Sequence, residues 1–300
     1  MIGKIISGNH LQRSQIKLAW VFLAPSLIAL VVLGFYPLIR TFFLSFTDST
    51  RGSVEAGNFI GLKNYLELFS KNEYWSSVFN TLLFTIGSVG LEFFLGLGFA
   101  LLANSKFRAR GYARAAMLIP WALPTVVAAR MWGWMFNDVF GVINDLLVLK
   151  LGILSKPVAW TAQPVWAMIS VILVDVWKTT PFVALILLAG LQQIPEELYE
   201  ASQVDGANSF QKFFLITLPL LKPAIVVALI FRTLDAIRVF DVIWILTAGR
   251  FGTESIGTYN YRNLIDFSRL GFGSAISVTI FFIIAIFVVM YVKAIRIQDE

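Results

Sequence analysis

Long apolar segments separated by short polar connections recur six times along this chain. A helix that spans a bilayer needs about 20 mostly apolar residues, and each segment is long enough to supply one. The pattern therefore predicts an all-α integral membrane protein with six transmembrane helices. The predicted spans cover residues 18–38, 82–103, 115–137, 164–191, 224–247 and 272–292.

The polar connections predict how the chain is divided and oriented. The connection over residues 106–114 carries four basic side chains, and short basic loops are retained in the cytoplasm. Both termini are therefore predicted to be cytoplasmic, in a multi-pass protein of the inner (cytoplasmic) membrane. The expected parts are an N-terminal arm (1–17), a first transmembrane helix (18–44), an external loop (45–80), a core of five transmembrane helices (81–295) and a short tail (296–300).

Composition supports the membrane assignment and excludes several classes of protein. Hydrophobic residues make up 58% of the 300 and charged residues 14%, whereas soluble domains have about 25% charged residues. The chain has no cysteine and a single histidine, His10, which excludes disulfides, thiolate catalysis and multi-histidine or cysteine metal sites. The net charge of +6 is explained by basic cytoplasmic flanks, so no nucleic-acid partner is expected.

Ionisable residues inside the predicted spans are the first indication of function. Each charge costs about 2.5–3.5 kcal/mol at the bilayer centre, so these side chains must pair or face a polar cavity. Three residues advance a helix by about 300°, so charges at that interval do not all line one face. Both substrate contacts and purely structural ion pairs stay open as interpretations, and for Glu92 and Arg130 the structural one has at least equal weight. Four charges recur at this interval in the fifth predicted span: Arg232, Asp235, Arg238 and Asp241.

The middle of the fourth predicted span is equally polar. Asp175 and Lys178 are three residues apart and are followed by Thr179, Thr180 and Phe182. Carboxylates and hydroxyls hydrogen-bond to sugar hydroxyls, and aromatic faces stack on sugar rings. Such groups are costly on a helix that faces lipid, so this segment is predicted to line a cavity that binds a polyol.

The connection between the fourth and fifth predicted spans has the features of two short helices. Pro195 suits the first turn of one helix, and Gly206 suits its left-handed end. Ser209 is predicted to cap the second helix, which Pro219 and Pro223 end before the fifth span. Apolar residues on such a pair dock another protein or pack on the chain's own bundle, and the residues alone leave both interpretations open.

This connection also contains a motif with fixed spacing. Residues 200–206 read Glu-Ala-Ser-Gln-Val-Asp-Gly, and after nine further residues 216–219 read Ile-Thr-Leu-Pro. The pattern resembles the cytoplasmic loop signature of permease subunits of binding-protein-dependent ABC importers, E-A-A-x3-G-x9-I-x-L-P, with Ser202 in place of the second alanine. Further segments, among them 59–65 and 245–247, are similar to the carbohydrate branch, and above all to the first permease subunit of maltose and trehalose importers.

The resemblance implies a type I ABC importer permease fold and a set of partners. These are a second homologous permease, two ATPase subunits that bind ATP and Mg, an extracytoplasmic solute-binding protein and a sugar of the disaccharide class. The chain carries no G-x-x-x-x-G-K-[ST] sequence, so ATP hydrolysis is expected of a partner and not of this chain. No cofactor or metal is expected in the chain itself.

The resemblance also implies roles for named residues. Residues 194–218 would form the loop that couples to the ATPase. The expected coupling residues are Glu197, Glu200, Ala201, Ser202, Asp205, Gly206, Ile216, Leu218 and Pro219. The expected sugar contacts are Asp175, Lys178, Thr179, Phe182, Arg232, Asp235 and Val239.

Two other functions stay open at this point. A permease for glycerol phosphate or another small solute with negative charge would use Lys178, Arg232 and Arg238. An ion-coupled secondary transporter would relay protons or bind ions through buried acidic and basic residues, although the loop motif argues against it.

Overall fold

The computed structural model describes residues 10–52 and 57–296. Residues 1–9 of the predicted arm, 53–56 of the predicted external loop and 297–300 of the predicted tail lie outside the described residues. Within the described ranges the regular structure is helical, apart from an isolated antiparallel bridge between Thr47 and Phe59. The helices are α1 (His10–Ala29), α2 (Tyr36–Leu44), α3 (Lys63–Ser70), α4 (Asn72–Asn104), α5 (Arg110–Met117), α6 (Ile119–Ala122), α7 (Thr125–Met135), α8 (Val142–Asn144), α9 (Pro164–Leu191), α10 (Glu196–Val204), α11 (Ser209–Lys212), α12 (Leu218–Ala236), α13 (Asp241–Thr247), α14 (Ile256–Tyr261) and α15 (Leu270–Arg296).

Five continuous helical runs of the described chain have the length and apolar character of membrane spans, and a bent pair of helices makes a sixth if the pair is counted as one span. The predicted all-α membrane architecture is thereby confirmed, with five spans or six according to how the bent pair is counted. The continuous runs are Gln15–Leu44, Asn72–Asn104, Pro164–Leu191, Ser209–Ala236 and Leu270–Tyr291, and the bent pair is Arg110–Ala122 with Thr125–Met135.

One compact unit comprises the chain up to residue 68 together with residues 263–278. Its first span has a mean hydropathy of 2.4 over its most apolar stretch, and no residue of that stretch is buried. The loop that follows is held by the Asn64 side-chain amide, which donates to the Ser45 carbonyl at 2.9 Å and to the Thr47 carbonyl at 2.8 Å. These bonds satisfy backbone carbonyls that the end of α2 leaves without helical partners.

The second unit comprises residues 69–262 and the chain beyond 278, and it contains the main helical core. In this core α4 packs along α9, and α12 packs against both. Glycines allow the close approach: a Cβ added at Gly96 would lie 2.7 Å from Val183, and one added at Gly190 would lie 2.5 Å from Ala224. The tight packing fixes the relative positions of the polar side chains that these three helices carry.

The third predicted span is not one straight helix. It is divided into α5–α6 and α7, which are inclined to each other by 91°. Leu123, between them, takes an extended conformation with ψ at 137°, because the ring of Pro124 disfavours helical backbone in the residue before it. The prediction of an unbroken span over residues 115–137 is corrected accordingly.

The fifth predicted span is interrupted near its end. Residues 237–240 leave the helix between α12 and α13. The regular three-residue spacing of the four charges therefore holds on α12 only for Arg232 and Asp235. Arg238 lies in the interruption, where its Nε donates to the Leu234 carbonyl at 3.1 Å. Residues 237–240 therefore form a short non-helical segment, and Val239 of this segment lines the same cavity as residues of α9.

The fifth span also begins earlier than predicted. Residues Ser209–Ala236 form one helical run, so Pro219 and Pro223 do not end a helix. A wider turn over Phe213–Thr217 precedes Pro219, which is the second residue of α12. The loop after α9 is thus joined directly to the fifth span by a continuous helix.

Candidate functional site

Arg232 of α12 lies at the centre of a group of polar side chains from three helices. Its exposed fraction is 2%, and that of Glu92 on α4 is 0%. The Arg232 Nε donates to Glu92 Oε2, and Nη2 donates to Glu92 Oε1 at 2.8 Å. Nη2 also donates to Asp175 Oδ2 of α9 at 3.0 Å, and Nη1 donates to Asp235 Oδ2 at 2.6 Å. These four residues are called the Arg232 cluster below.

Three carboxylates of the Arg232 cluster share one guanidinium. Four of its five N–H groups are engaged in the bonds just described, and a buried charge is tolerated only when it is paired and hydrogen-bonded in this way. The Asp235 side chain is 66% exposed, whereas that of Asp175 is 13% exposed. The cluster therefore has a closed side at Glu92 and an open side at Asp235.

A polar cavity of about 140 Å³ lies beside the Arg232 cluster. The Thr179 hydroxyl lies on its wall, 2.7 Å from Glu92 Oε1 and 2.6 Å from the Asp175 carbonyl oxygen. The interruption at residues 237–240 adds Arg238, Val239 and Phe240 to the wall. Phe84, Thr125 and Asp241 also line the cavity.

The structure brings six of the seven predicted sugar contacts to this cavity: Asp175, Lys178, Thr179, Arg232, Asp235 and Val239. Phe182 is the exception, because its ring stacks on Trp121 at a centroid distance of 6.0 Å and meets Phe231 edge-on at 6.3 Å. The predicted aromatic wall at Phe182 is therefore replaced by Phe84 and Phe240, which do line the cavity.

Glu92 is the member of the cluster that the sequence interpretation left outside the site. Its one signal was that it is the single charged residue in the second predicted span. Its partner Arg232 is 140 residues away along the chain, so no rule of helical spacing connects the two. Packing of α4 against α12 makes the pair.

Acidic and basic side chains are balanced on the cavity wall. Three of each line it, and the buried Glu92 lies behind Thr179 and Arg232. Within the described ranges no group of three or more His, Cys, Asp or Glu side chains could hold a metal ion. The wall offers both hydrogen-bond donors and acceptors to a polar solute. The acidic residues are Asp175, Asp235 and Asp241, and the basic residues are Lys178, Arg232 and Arg238.

The predicted coupling residues lie on α10, on the turn after it, in the wider turn over Phe213–Thr217 (Ile216) and at the start of α12. Gly206 has a φ of +78°, which confirms the predicted left-handed end of α10. The next helix is capped by Asn208, whose side chain accepts from the Gln211 N–H at 2.9 Å, so the predicted Ser209 cap was wrong. Glu197, Glu200, Ala201, Asp205, Gly206 and Pro219 are exposed, and Ser202, Ile216 and Leu218 are half-buried.

One side of α10 is fixed to its neighbours and the other side is open. The Tyr199 hydroxyl lies 2.9 Å from Thr217 Oγ1, and the Lys106 Nζ lies 2.7 Å from Glu196 Oε1. The hydrogen bond from Lys106 lowers the pKa of the Glu196 carboxyl. Val204 on the open side is 89% exposed.

A family model described as the inner membrane component of binding-protein-dependent transport systems matches residues 92–297. The matched region includes the whole Arg232 cluster, every residue that lines the polar cavity except Phe84, and the loop that carries α10. The chain belongs to this family. Membership confirms the inner-membrane location and the permease fold that the loop motif implied.

Two relatives in this family match the chain over nearly its whole length. The trehalose/maltose transport system permease protein MalF of Thermococcus litoralis is 45% identical over 296 residues, which cover 97% of this chain and 98% of the relative. The sulfoquinovosyl glycerol transport system permease protein SmoG of Agrobacterium fabrum is 42% identical over 284 residues, which cover 94% and 91%.

A solved structure has the same fold. It is a bacterial ABC transporter involved in the import of the acidic polysaccharide alginate, and one of its chains superposes with a TM-score of 0.82 at 24% identity. The match covers 96% of this chain and 98% of that chain. The type I importer permease architecture expected from the motif is therefore confirmed.

Proposed function

We propose that this permease carries a neutral sugar, a disaccharide of the maltose and trehalose class, in an importer driven by ATP. The observation that carries the proposal is the polar cavity beside the Arg232 cluster, where Asp175, Lys178 and Thr179 of α9 face residues of α12. Carboxylate, ammonium and hydroxyl groups match sugar hydroxyls as acceptors and donors. The name of the Thermococcus litoralis relative, a trehalose/maltose permease, supports the same class of substrate.

The charges argue for a neutral substrate over an anionic one. Arg232 has a single N–H group free of the cluster, and the three basic side chains of the cavity wall are matched by three acidic ones. An anion that gave up its hydration here would meet carboxylates as well as cations. The alternative of a glycerol phosphate permease that uses Lys178, Arg232 and Arg238 is therefore disfavoured.

The size of the cavity argues for a second subunit. Sites for small molecules are typically about 300–1,000 Å³, whereas this cavity is about 140 Å³. A disaccharide needs further walls, and a second homologous permease supplies them. The translocation path then lies between the two permeases.

Coupling to ATP follows from the helix that runs from the turn after α10 to the cavity. In this scheme α10 docks on a cytoplasmic ATPase subunit, one of two that hold ATP and Mg, and both chain termini are cytoplasmic. Because Ser209–Ala236 form one helical run that contains Arg232, a movement of the loop at its start is transmitted along this helix to Arg232. The permeases rock about the cavity by alternating access, and an extracytoplasmic binding protein delivers the sugar.

The energy source separates this proposal from an ion-coupled transporter. Sugar uptake by cells that express the whole importer is expected to survive an ionophore and to stop when cellular ATP is depleted. The opposite result, in which uptake needs the ion gradient and persists without ATP, would rule out the ATP-driven importer. A sugar that is not carried, tested in parallel, controls for leakage.

Asp175→Asn is expected to lower sugar uptake at least tenfold while leaving most of the complex assembled. The substitution keeps the size of the side chain but removes a charged acceptor from the cavity, and Arg232 retains Glu92 and Asp235 as partners. Initial uptake rates per assembled complex are the measurement. Asp145→Asn is the matched control, because Asp145 pairs with Lys150 outside the cavity. Wild-type uptake by Asp175→Asn would remove Asp175 from the sugar path.

A further inference from the structure

Glu92 is buried behind the polar cavity and does not line it. Its side chain has no exposed surface, and the cavity wall nearest to it is made by Thr179 and Arg232. Both of these residues donate to the Glu92 carboxylate, Thr179 at 2.7 Å and the Arg232 Nη2 at 2.8 Å. Glu92 therefore contacts two residues of the wall while remaining out of reach of any solute in the cavity.

We propose that Glu92 is a positioning residue of the transport site: it fixes the Arg232 guanidinium and the Thr179 hydroxyl so that the cavity presents acceptors to the sugar. This inference rests on the proposed function of sugar transport. Arg232 approaches Glu92 with Nε and Nη2, and a bidentate pair of this kind fixes the plane of the guanidinium. Nη1 and the remaining Nη2 proton are thereby directed to Asp235 and Asp175.

The same carboxylate determines what Thr179 offers to a ligand. A hydroxyl has one proton to donate and two lone pairs that accept. Both acceptors within reach of that proton, Glu92 Oε1 and the Asp175 carbonyl oxygen, belong to the protein. The Thr179 oxygen is therefore left as an acceptor for a sugar hydroxyl.

The charge of Glu92 also determines how strongly Arg232 holds the other two carboxylates. With Glu92 ionised, Arg232 donates the Nε proton and one of its two Nη2 protons to Glu92, which lies outside the cavity. Without that charge, Asp175 and Asp235 are the remaining counter-ions of a buried cation. They would bind Arg232 more tightly and would be less available to accept hydrogen bonds from a sugar.

A purely structural role for Glu92 predicts something different. In that case the bonds to Arg232 and Thr179 only hold α4, α12 and α9 together, and a substitution changes assembly and thermal stability. A positioning role changes in addition the sugar concentration at half-maximal uptake, measured per assembled complex. The two roles are therefore separated by the dependence of uptake on sugar concentration.

Two variants of Glu92 in the complete importer provide the test. Glu92→Gln keeps the size and removes the charge, and Glu92→Asp keeps the charge but withdraws the carboxylate by one methylene group. We expect the half-saturating concentration to rise about tenfold for Glu92→Gln and several-fold for Glu92→Asp, with smaller changes in the maximal rate. Glu92→Asp leaves Arg232 compensated, so it carries the test if Glu92→Gln does not assemble.

Glu254→Gln is the matched control, because Glu254 pairs with Arg262 at 2.8 Å and does not line the cavity. It is expected to keep the wild-type half-saturating concentration. Wild-type half-saturation in the assembled Glu92 variants would overturn the positioning role and leave the proposed function intact. Failure of the wild-type importer to take up any sugar would overturn the proposed function itself, and the positioning role with it.

Discussion

Arg232→Ala is expected to reduce the amount of assembled permease at least tenfold and to abolish sugar uptake. The substitution leaves Glu92, which has no exposed surface, without its counter-ion. Breaking a buried ion pair by removing one partner costs about 3–5 kcal/mol, a large part of the roughly 5–15 kcal/mol that stabilises a typical protein. Size-exclusion chromatography of the detergent-extracted complex and its thermal inactivation measure the effect.

Arg262→Ala is the matched control for Arg232→Ala. Arg262 also pairs with a glutamate, but the side chains of Arg262 and Glu254 are 34% and 17% exposed, whereas those of Arg232 and Glu92 are 3% and 0% exposed. Because the cost of an uncompensated charge grows with its burial, Arg262→Ala is expected to reduce assembly much less than Arg232→Ala does. If Arg232→Ala assembles and resists heat as well as Arg262→Ala does, the Arg232 cluster is not a buried ion-pair network.

Gly206→Val is expected to abolish association with the ATPase subunits while leaving membrane insertion intact. Gly206 has a φ of +78°, a left-handed conformation that costs L-residues about 1–2 kcal/mol and costs β-branched residues more. A Cβ at this position would meet no atom within 4 Å, so the strain is confined to the backbone turn that ends α10. Co-purification of the ATPase with the tagged permease is the measurement.

Gly206→Asn separates backbone strain from the mere addition of a side chain. Asparagine tolerates the left-handed conformation better than other residues that carry a Cβ, so this variant is expected to retain most of the co-purified ATPase. Equal retention by Gly206→Val and Gly206→Asn would contradict the assignment of α10 and its turn as the coupling surface.

The sequence predicted the helices better than their interruptions. The fourth span was predicted over residues 164–191 and is observed as Pro164–Leu191, because a proline marks its first turn and polar residues follow its last. The break at Leu123 was missed although Pro124 signals it, since hydropathy averages over the neighbouring apolar residues. The break at residues 237–240 contains neither proline nor glycine and depends on tertiary packing.

The candidate site shows the same division between local and non-local information. Asp175, Lys178 and Thr179 could be predicted as one group, and they line one cavity, because they lie close together on one helix. Glu92 was not assigned to the site because its bond to Arg232 joins helices that are distant along the chain. Phe182 was predicted as a sugar contact, but its ring stacks on Trp121 instead of lining the cavity, a contact that the sequence does not reveal.

Direct occupancy of the cavity by sugar is the central claim, and the absence of cysteine from the chain permits a clean measurement. Asp241 is exposed and lines the cavity but is not among the proposed sugar contacts, so Asp241→Cys places a single thiol there. Val139→Cys, at a residue that is 87% exposed and does not line the cavity, is the control. Labelling by a thiol reagent is followed in the complete importer, with binding protein and either maltose, trehalose or a sugar that is not carried.

We expect a transported disaccharide to slow labelling of Asp241→Cys several-fold and to leave the labelling rate of Val139→Cys unchanged. Equal labelling of Asp241→Cys with carried and uncarried sugars would contradict a sugar path through this cavity.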